Sequence, residues 1–219
     1  MNILHLSSSP RGPTAESYRL SRRIVDLLVA RQPDAVLVDR SIGEGGIAHV
    51  DGNYATSQHD AAAEPGQEGA VARSEALIRE LEDSDVLVIG TPMHNLAVPS
   101  ALKAWIDHVV RAGRTFNVTS AGKVGLLSDR PVFIAVSSGG VFSGERARQP
   151  DFLTPYLKVV LSTIGLKDLN FFSIEGTGYG PEALKEARAA AERALVDHFS
   201  ARDSGERYDW ATALARRQA

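Results

Sequence analysis

Residues 85–111 read Asp-Val-Leu-Val-Ile-Gly-Thr-Pro-Met-His-Asn-Leu-Ala-Val-Pro-Ser-Ala-Leu-Lys-Ala-Trp-Ile-Asp-His-Val-Val-Arg. Val86 to Ile89 is a short apolar run with β-branched residues, closed by Gly90 and Pro92, as expected of a strand buried on both faces of a parallel sheet. An irregular stretch from Thr91 to Val98 follows. A helix then opens with Pro99 near its first turn and carries Leu102, Trp105, Ile106, Val109 and Val110 at helical spacing. In an open parallel sheet the crevice lies outside the carboxyl ends of the strands. A ligand is therefore expected at this turn, facing the side chains and amides of Met93, His94 and Asn95.

Working outward, Asn2 to Leu6 reads as a first strand, with a helix over about 15 to 31 behind it. Val36 to Val38 is a second strand, and a helix over about 71 to 82 leads into the central one. Pro131 to Ser137 is a further buried strand, residues 152 to 164 a helix stopped by Gly165, Asp168 to Ile174 a last strand, and Pro181 to Phe199 a long Ala-rich helix. This alternation predicts one α/β domain over 1–199, a doubly wound parallel sheet of five strands in the order 2-1-3-4-5. Residues 41 to 70 form a Gly-rich insertion of the kind that serves as a lid, a partner-contacting loop or a disordered segment. The tail, 200–219, holds Tyr208, Trp210 and Leu214 and is either a docking helix or unplaced.

With 43% hydrophobic and 23% charged residues, the 219-residue chain has the composition of an ordinary soluble protein. A net charge of -3 argues against a nucleic-acid footprint. No run approaches a membrane span and no secretory signal pattern opens the chain, so a cytoplasmic protein without membrane attachment is expected. Cysteine is absent, which excludes disulfides, thiolate zinc sites and cysteine nucleophiles. The six histidines, at 5, 49, 59, 94, 108 and 198, show no close metal-ligand spacing, and no metal is expected.

Three loops carry the candidate chemistry. Ser7-Ser8-Ser9-Pro10-Arg11 and Thr14-Ala15-Glu16-Ser17 join the first strand to the first helix. Hydroxyls and free amides at a helix N-terminus suit a phosphate monoester, although a plain Ser/Pro/Gly cap has the same local sequence. The stretch is neither GxGxxG nor GxxxxGK[ST], which weakens the case for a dinucleotide held here or for a nucleoside triphosphate. Met93-His94-Asn95 offers a polarizable side chain, an imidazole and an amide to a flat, partly polar ring; the flanking Pro92 and Pro99 favour a rigid loop over a merely exposed histidine. Ser137-Ser138-Gly139-Gly140 follows a neighbouring strand and enters the same crevice, with glycines that permit close backbone approach. Phe116 and Tyr179 are candidate pocket walls, though aromatic residues more often belong to a core.

Taken in order, Thr91-Pro92-Met93-His94-Asn95, Arg111-Ala112-Gly113-Arg114-Thr115-Phe116, Ser138-Gly139-Gly140, Thr154-Pro155-Tyr156-Leu157, Ile164-Gly165 and Glu175-Gly176-Thr177-Gly178-Tyr179-Gly180 resemble the FMN-dependent NAD(P)H azoreductases and quinone reductases of the flavodoxin-like superfold. The resemblance extends from Asn2 to about Phe199. It implies a flavodoxin-like sheet and non-covalent FMN, with phosphate and ribityl contacts from Ser9, Ala15, Glu16 and Ser17. Ring contacts are implied from Met93, His94, Asn95 and Leu96 and from Ser137, Ser138, Gly139 and Gly140. The implied activity is ping-pong hydride transfer, from NADH or NADPH through FMN to a quinone or azo acceptor. A homodimer with active sites at the interface is also implied, and it would bury parts of the insertion and of the helix after Pro99. His94 stands where the family has Tyr, which bears on stacking against the flavin; as an imidazole it could give a proton to the acceptor, though water could do the same, and no other catalytic residue is required. An FMN reductase that releases reduced flavin, a flavodoxin-type electron carrier without NAD(P)H turnover, and a relative that binds no FMN are the alternatives.

Overall fold

The computed structural model describes residues 1–57 and 69–203; residues 58–68 of the insertion and the tail residues Tyr208, Trp210 and Leu214 lie outside the described residues. The strands are β1 (Asn2–Ser7), β2 (Val36–Ser41), β3 (Val86–Pro92), β4 (Phe116–Thr119), β5 (Gly122–Gly125), β6 (Val132–Ser137) and β7 (Leu169–Ile174). The helices are α1 (Glu16–Arg31), α2 (Gly52–Ser57), α3 (Gly69–Asp83), α4 (Ser100–Val109), α5 (Thr154–Thr163) and α6 (Pro181–Asp203). Among the described residues, no helix is long and apolar enough to cross a membrane.

Five parallel strands form one sheet in the order β2-β1-β3-β6-β7. The expected order 2-1-3-4-5 is corrected in its numbering, because β4 and β5 pair antiparallel as a separate hairpin between the third and fourth strands of the sheet. These two strands are four residues each and mostly exposed, so they carry no apolar period to read. β2 also runs on to Ser41, past the expected stop at Val38. Its polar end has partners: Asp39 accepts from His5 and Arg22, and Arg40 pairs with Glu80.

Alternation along the buried strands divides the core into two layers. Leu4, Leu6, Leu87, Ile89, Val132, Ile134 and Val136 pack against α3, α4 and α5. Ile3, Val86, Val88, Phe133 and Ala135 pack against α1 and α6. Gly90 permits the closest of these approaches, since a Cβ there would overlap the Ser21 hydroxyl and crowd the Ser17 carbonyl on α1. Part of the insertion joins the core: Ile42, Ile47 and Tyr54 are buried, and the Tyr54 hydroxyl donates to the Asp107 carbonyl at 2.9 Å.

An ionic network fixes α3 to the segment after α4. Arg114 forks onto Glu75 (2.9 and 3.1 Å) and onto Glu82 (2.9 and 3.0 Å), while buried Arg111 donates to Glu75 and to Ser74 at 3.0 Å. The Arg114 hydrogen bonds are the main cause that holds the Glu75 carboxyl at about 2, below its ordinary 4.5, with Arg111 adding to them against desolvation. A carboxyl lowered in the folded state contributes stability above its unfolded value, and that contribution is lost as pH falls through the folded value. Glu75→Gln should therefore cost about 3 kcal/mol in urea unfolding at pH 7. The difference from the unsubstituted protein should shrink between pH 4.5 and about 2. A difference that stays constant over that range would contradict this account.

Candidate active site

The first loop leaves a helix end open. The N-cap of α1 is Ala15, which has no side chain to accept from the first turn, and no side-chain cap is present. The amides of Glu16, Ser17 and Tyr18 have no acceptor among the described residues. The Ser17 hydroxyl is fully buried without a partner. Ser9 is buried too and its hydroxyl accepts from the Arg11 amide at 3.2 Å, holding the loop in its turn. The Glu16 carboxylate points away to Arg188 (2.6 and 2.8 Å), whose hydrogen bonds lower its pKa and cancel its charge beside the helix end. An uncapped helix N-terminus with an unpartnered hydroxyl is an anion site in both charge and hydrogen-bonding demand.

The second loop is a tight turn. His94 and Ala97 exchange backbone hydrogen bonds of 3.0 Å each, and Asn95 and Leu96 between them have φ of 48° and 72°. This is the pattern of a type I′ turn, which Asn tolerates and Leu does not favour. The amides of Met93 and His94 are engaged by the Ser137 and Ala97 carbonyls, whereas those of Asn95 and Leu96 have no acceptor among the described residues. His94 and Asn95 are exposed at the rim.

The third loop lies against the second. Ser138, Gly139 and Gly140 have their carbonyls taken by the amides of Thr177, Gly178 and Gly176 at 3.0, 3.1 and 3.1 Å. The amides of Gly139 and Gly140 are left without an acceptor among the described residues. Glu175 anchors the same loop, accepting from the Phe142 and Ser143 amides (2.8 and 3.1 Å) and from the Ser143 and Ser173 hydroxyls (2.6 and 2.8 Å). Neither this anchoring role nor that of Gln149, whose amide nitrogen lies 3.0 Å from the Ser138 hydroxyl and 3.1 Å from the Met93 sulfur, was legible in the sequence. Acid and amide in a loop give no periodic signal.

The structure thus gathers Ser9, Ala15, Glu16 and Ser17, Met93 to Leu96 and Ser137 to Gly140 at the carboxyl ends of β1, β3 and β6. Phe116 stands apart: it is 7% exposed, in the core at the start of the hairpin, and Lys123 lies over its ring. Tyr179, 61% exposed, lines a cavity of about 620 Å³ between the 141–148 loop and α6, beside the third loop. A Ser21–His5–Asp39 alignment (2.8 and 3.0 Å) resembles a hydrolase triad, but Ser21 is fully buried and donates to the Tyr18 carbonyl. It is a structural tie, and burial pushes the pKa of His5 down.

Unpaired donors at the α1 end, with further unpaired amides on two loops one strand apart, fit the phosphate and the ring that the sequence resemblance implies. A family model described as flavodoxin-like fold matches residues 1–199. FMN-dependent NADH:quinone oxidoreductase 5 of Burkholderia lata is 45% identical over 196 residues, which cover 89% of this chain and 95% of that protein. FMN-dependent NADH:quinone oxidoreductase 4 of Pseudomonas fluorescens is 46% identical over 194 residues, covering 89% and 93%. Among solved structures, an azoreductase from Bacillus anthracis has a TM-score of 0.79 at 22% identity over 91% of this chain and 98% of that one, a likeness of fold. The chain therefore belongs to the flavodoxin-like family, within the group of the FMN-dependent NADH:quinone oxidoreductases.

Proposed function

We propose that the chain binds FMN non-covalently and reduces quinones and azo compounds with NADH. The observation that carries this reading is the uncapped α1 N-terminus with the buried, unpartnered Ser17 hydroxyl, in a chain 45% identical to a relative named for FMN and NADH:quinone chemistry. When bound, FMN supplies the two-electron transfer between nicotinamide and acceptor. The protein places and shields it. Ser9, Ser17 and the amides of Glu16 and Ser17 would hold the phosphate, and the unpaired Asn95, Leu96, Gly139 and Gly140 amides would donate to the ring and offset negative charge there. His94, exposed at the rim, is placed where its imidazole could give a proton to the reduced acceptor, as water could.

We also propose a homodimer whose second copy walls the crevice. Beside parts of the 41–70 insertion and of α4, the contact would take in exposed apolar side chains of the hairpin and α5. Val118 (72%) and Val159 (69%) lie there, and Phe152 (59%), two residues before α5, is tied by its amide to the Leu96 carbonyl at the edge of the crevice.

Ser17→Asp places charge and volume where the phosphate is held and should raise the FMN dissociation constant roughly a hundredfold, as expected for losing a charge-assisted hydrogen bond and adding repulsion. An unchanged constant in flavin fluorescence titration would move the phosphate elsewhere. A single crevice serving both substrates should give parallel double-reciprocal lines with NADH and a benzoquinone. Intersecting lines would remove the shared crevice, and FMN binding without NADH turnover would favour the electron carrier. For the dimer, light scattering at micromolar concentration should report twice the chain mass, falling to one chain mass in Val159→Asp. A monomeric parent protein would refute this assembly.

A further inference from the structure

Residues 148–152 cross between the second and third loops with a backbone tie at each end. The Arg148 amide donates to the Val141 carbonyl at 2.9 Å, and the Phe152 amide to the Leu96 carbonyl at 3.1 Å. Asp151 accepts from the Leu153 and Thr154 amides (2.9 and 2.8 Å), which fixes where α5 starts and so where the crossing must end. Gln149, half-buried, sits inside this crossing.

Its carboxamide touches both loops at once. The nitrogen reaches the Ser138 hydroxyl at 3.0 Å and the Met93 sulfur at 3.1 Å. The oxygen lies against Gly140, where a Cβ would overlap it, so a side chain at 140 would push the carboxamide out of this position. Without this contact, Met93 and Ser138 meet directly only through a long hydroxyl–sulfur contact of 3.9 Å. The hydroxyl hydrogen bond holds Ser138, whereas the thioether is a weak acceptor that the amide orients as much as bonds.

We propose that Gln149 is a positioning residue for the flavin, a clamp that locks the Met93 thioether and the Ser138–Gly140 backbone into one ring seat. This rests on the FMN reading above and adds a residue to it. The clamp acts through Met93, Ser138 and Gly140, adding a side-chain tie beyond the backbone bond of 2.7 Å from the Met93 amide to the Ser137 carbonyl, which fixes where the two loops start but not the thioether or the residues after Ser137. Preorganising them lowers the ordering cost that ring binding would otherwise carry.

The test is FMN titration of the apo-protein of the parent chain, Gln149→Ala, Ser138→Ala and the double variant, with time-resolved anisotropy of the bound flavin. Gln149→Ala should weaken FMN about tenfold, the scale of one lost hydrogen-bonded tie. It should add a fast local depolarisation of the ring. The double variant should bind little worse than the weaker single one, because both remove the same link. Gln149→Asn, one methylene short, should not restore binding. The thermal midpoint of apo Gln149→Ala should match the parent, which separates loss of the clamp from loss of the fold. Equal affinity and unchanged anisotropy in Gln149→Ala, or strictly additive losses in the double variant, would overturn the clamp. Failure of the parent chain itself to bind FMN would instead overturn the functional reading.

Discussion

The parallel pairing of β3 with β6 does not stop where the strands do. Met93, one residue beyond Pro92, still donates to Ser137, and on the other side Ser8 donates to Gly90. Because β3 is buried on both faces, its register cannot slip without moving a whole row of apolar side chains between layers. Each loop that leaves the sheet at this end therefore starts from a fixed point. The crevice inherits its geometry from the ladder, which is why side chains far apart in sequence converge there.

What the ladder fixes, the turn at 94–97 strains. Leu96 at a φ of 72° costs about 1 kcal/mol or more relative to an ordinary backbone. The cost is offset locally by the paired His94–Ala97 hydrogen bonds and by the Phe152 amide on the Leu96 carbonyl. One result is that two successive amides, on Asn95 and Leu96, face away from any protein acceptor. A relaxed loop would turn them back onto its own backbone or release them to water.

The legibility of the chain in sequence follows the physics of each part. Val86 to Ile89 and Val132 to Ser137 are buried on both faces and read as continuous apolar runs, so the sheet and its two helical layers were open to inference. The hairpin was not: Asn117, Thr119 and Lys123 are exposed, and it is held by backbone pairing, by Phe116 in the core and by Gly125 against the backbone of Ile164 and Gly165. The same Phe116 shows the limit of motif reading, since its place beside matched residues in the chain does not bring it to the crevice. Ser17, Met93 to Leu96 and Ser138 to Gly140 were legible because motifs follow strands. Gln149 and Glu175 were not, because each acts through contacts set by a loop path that no local preference dictates.

Charge gives the last constraint on what the crevice accepts. Two carboxylates beside its loops are fully engaged: Glu16 is paired with Arg188, and Glu175 accepts from two amides and two hydroxyls. Unpaired groups at the strand ends, among the described residues, include the amides of Glu16, Ser17, Tyr18, Asn95, Leu96, Gly139 and Gly140, together with the Ser7 and Ser17 hydroxyls. Most of these can only donate. A net charge of -3 spread over the chain therefore coexists with an end of the sheet that is electropositive by its dipoles rather than by its side chains. The Gly90, Ser137, Ser138, Gly139 and Gly140 carbonyls are engaged in the ladders and turns beside these amides, so they are not acceptors for them. An acceptor-rich, anionic and partly planar ligand completes the hydrogen bonding that the sheet leaves open, and it does so without adding a buried charge of its own kind.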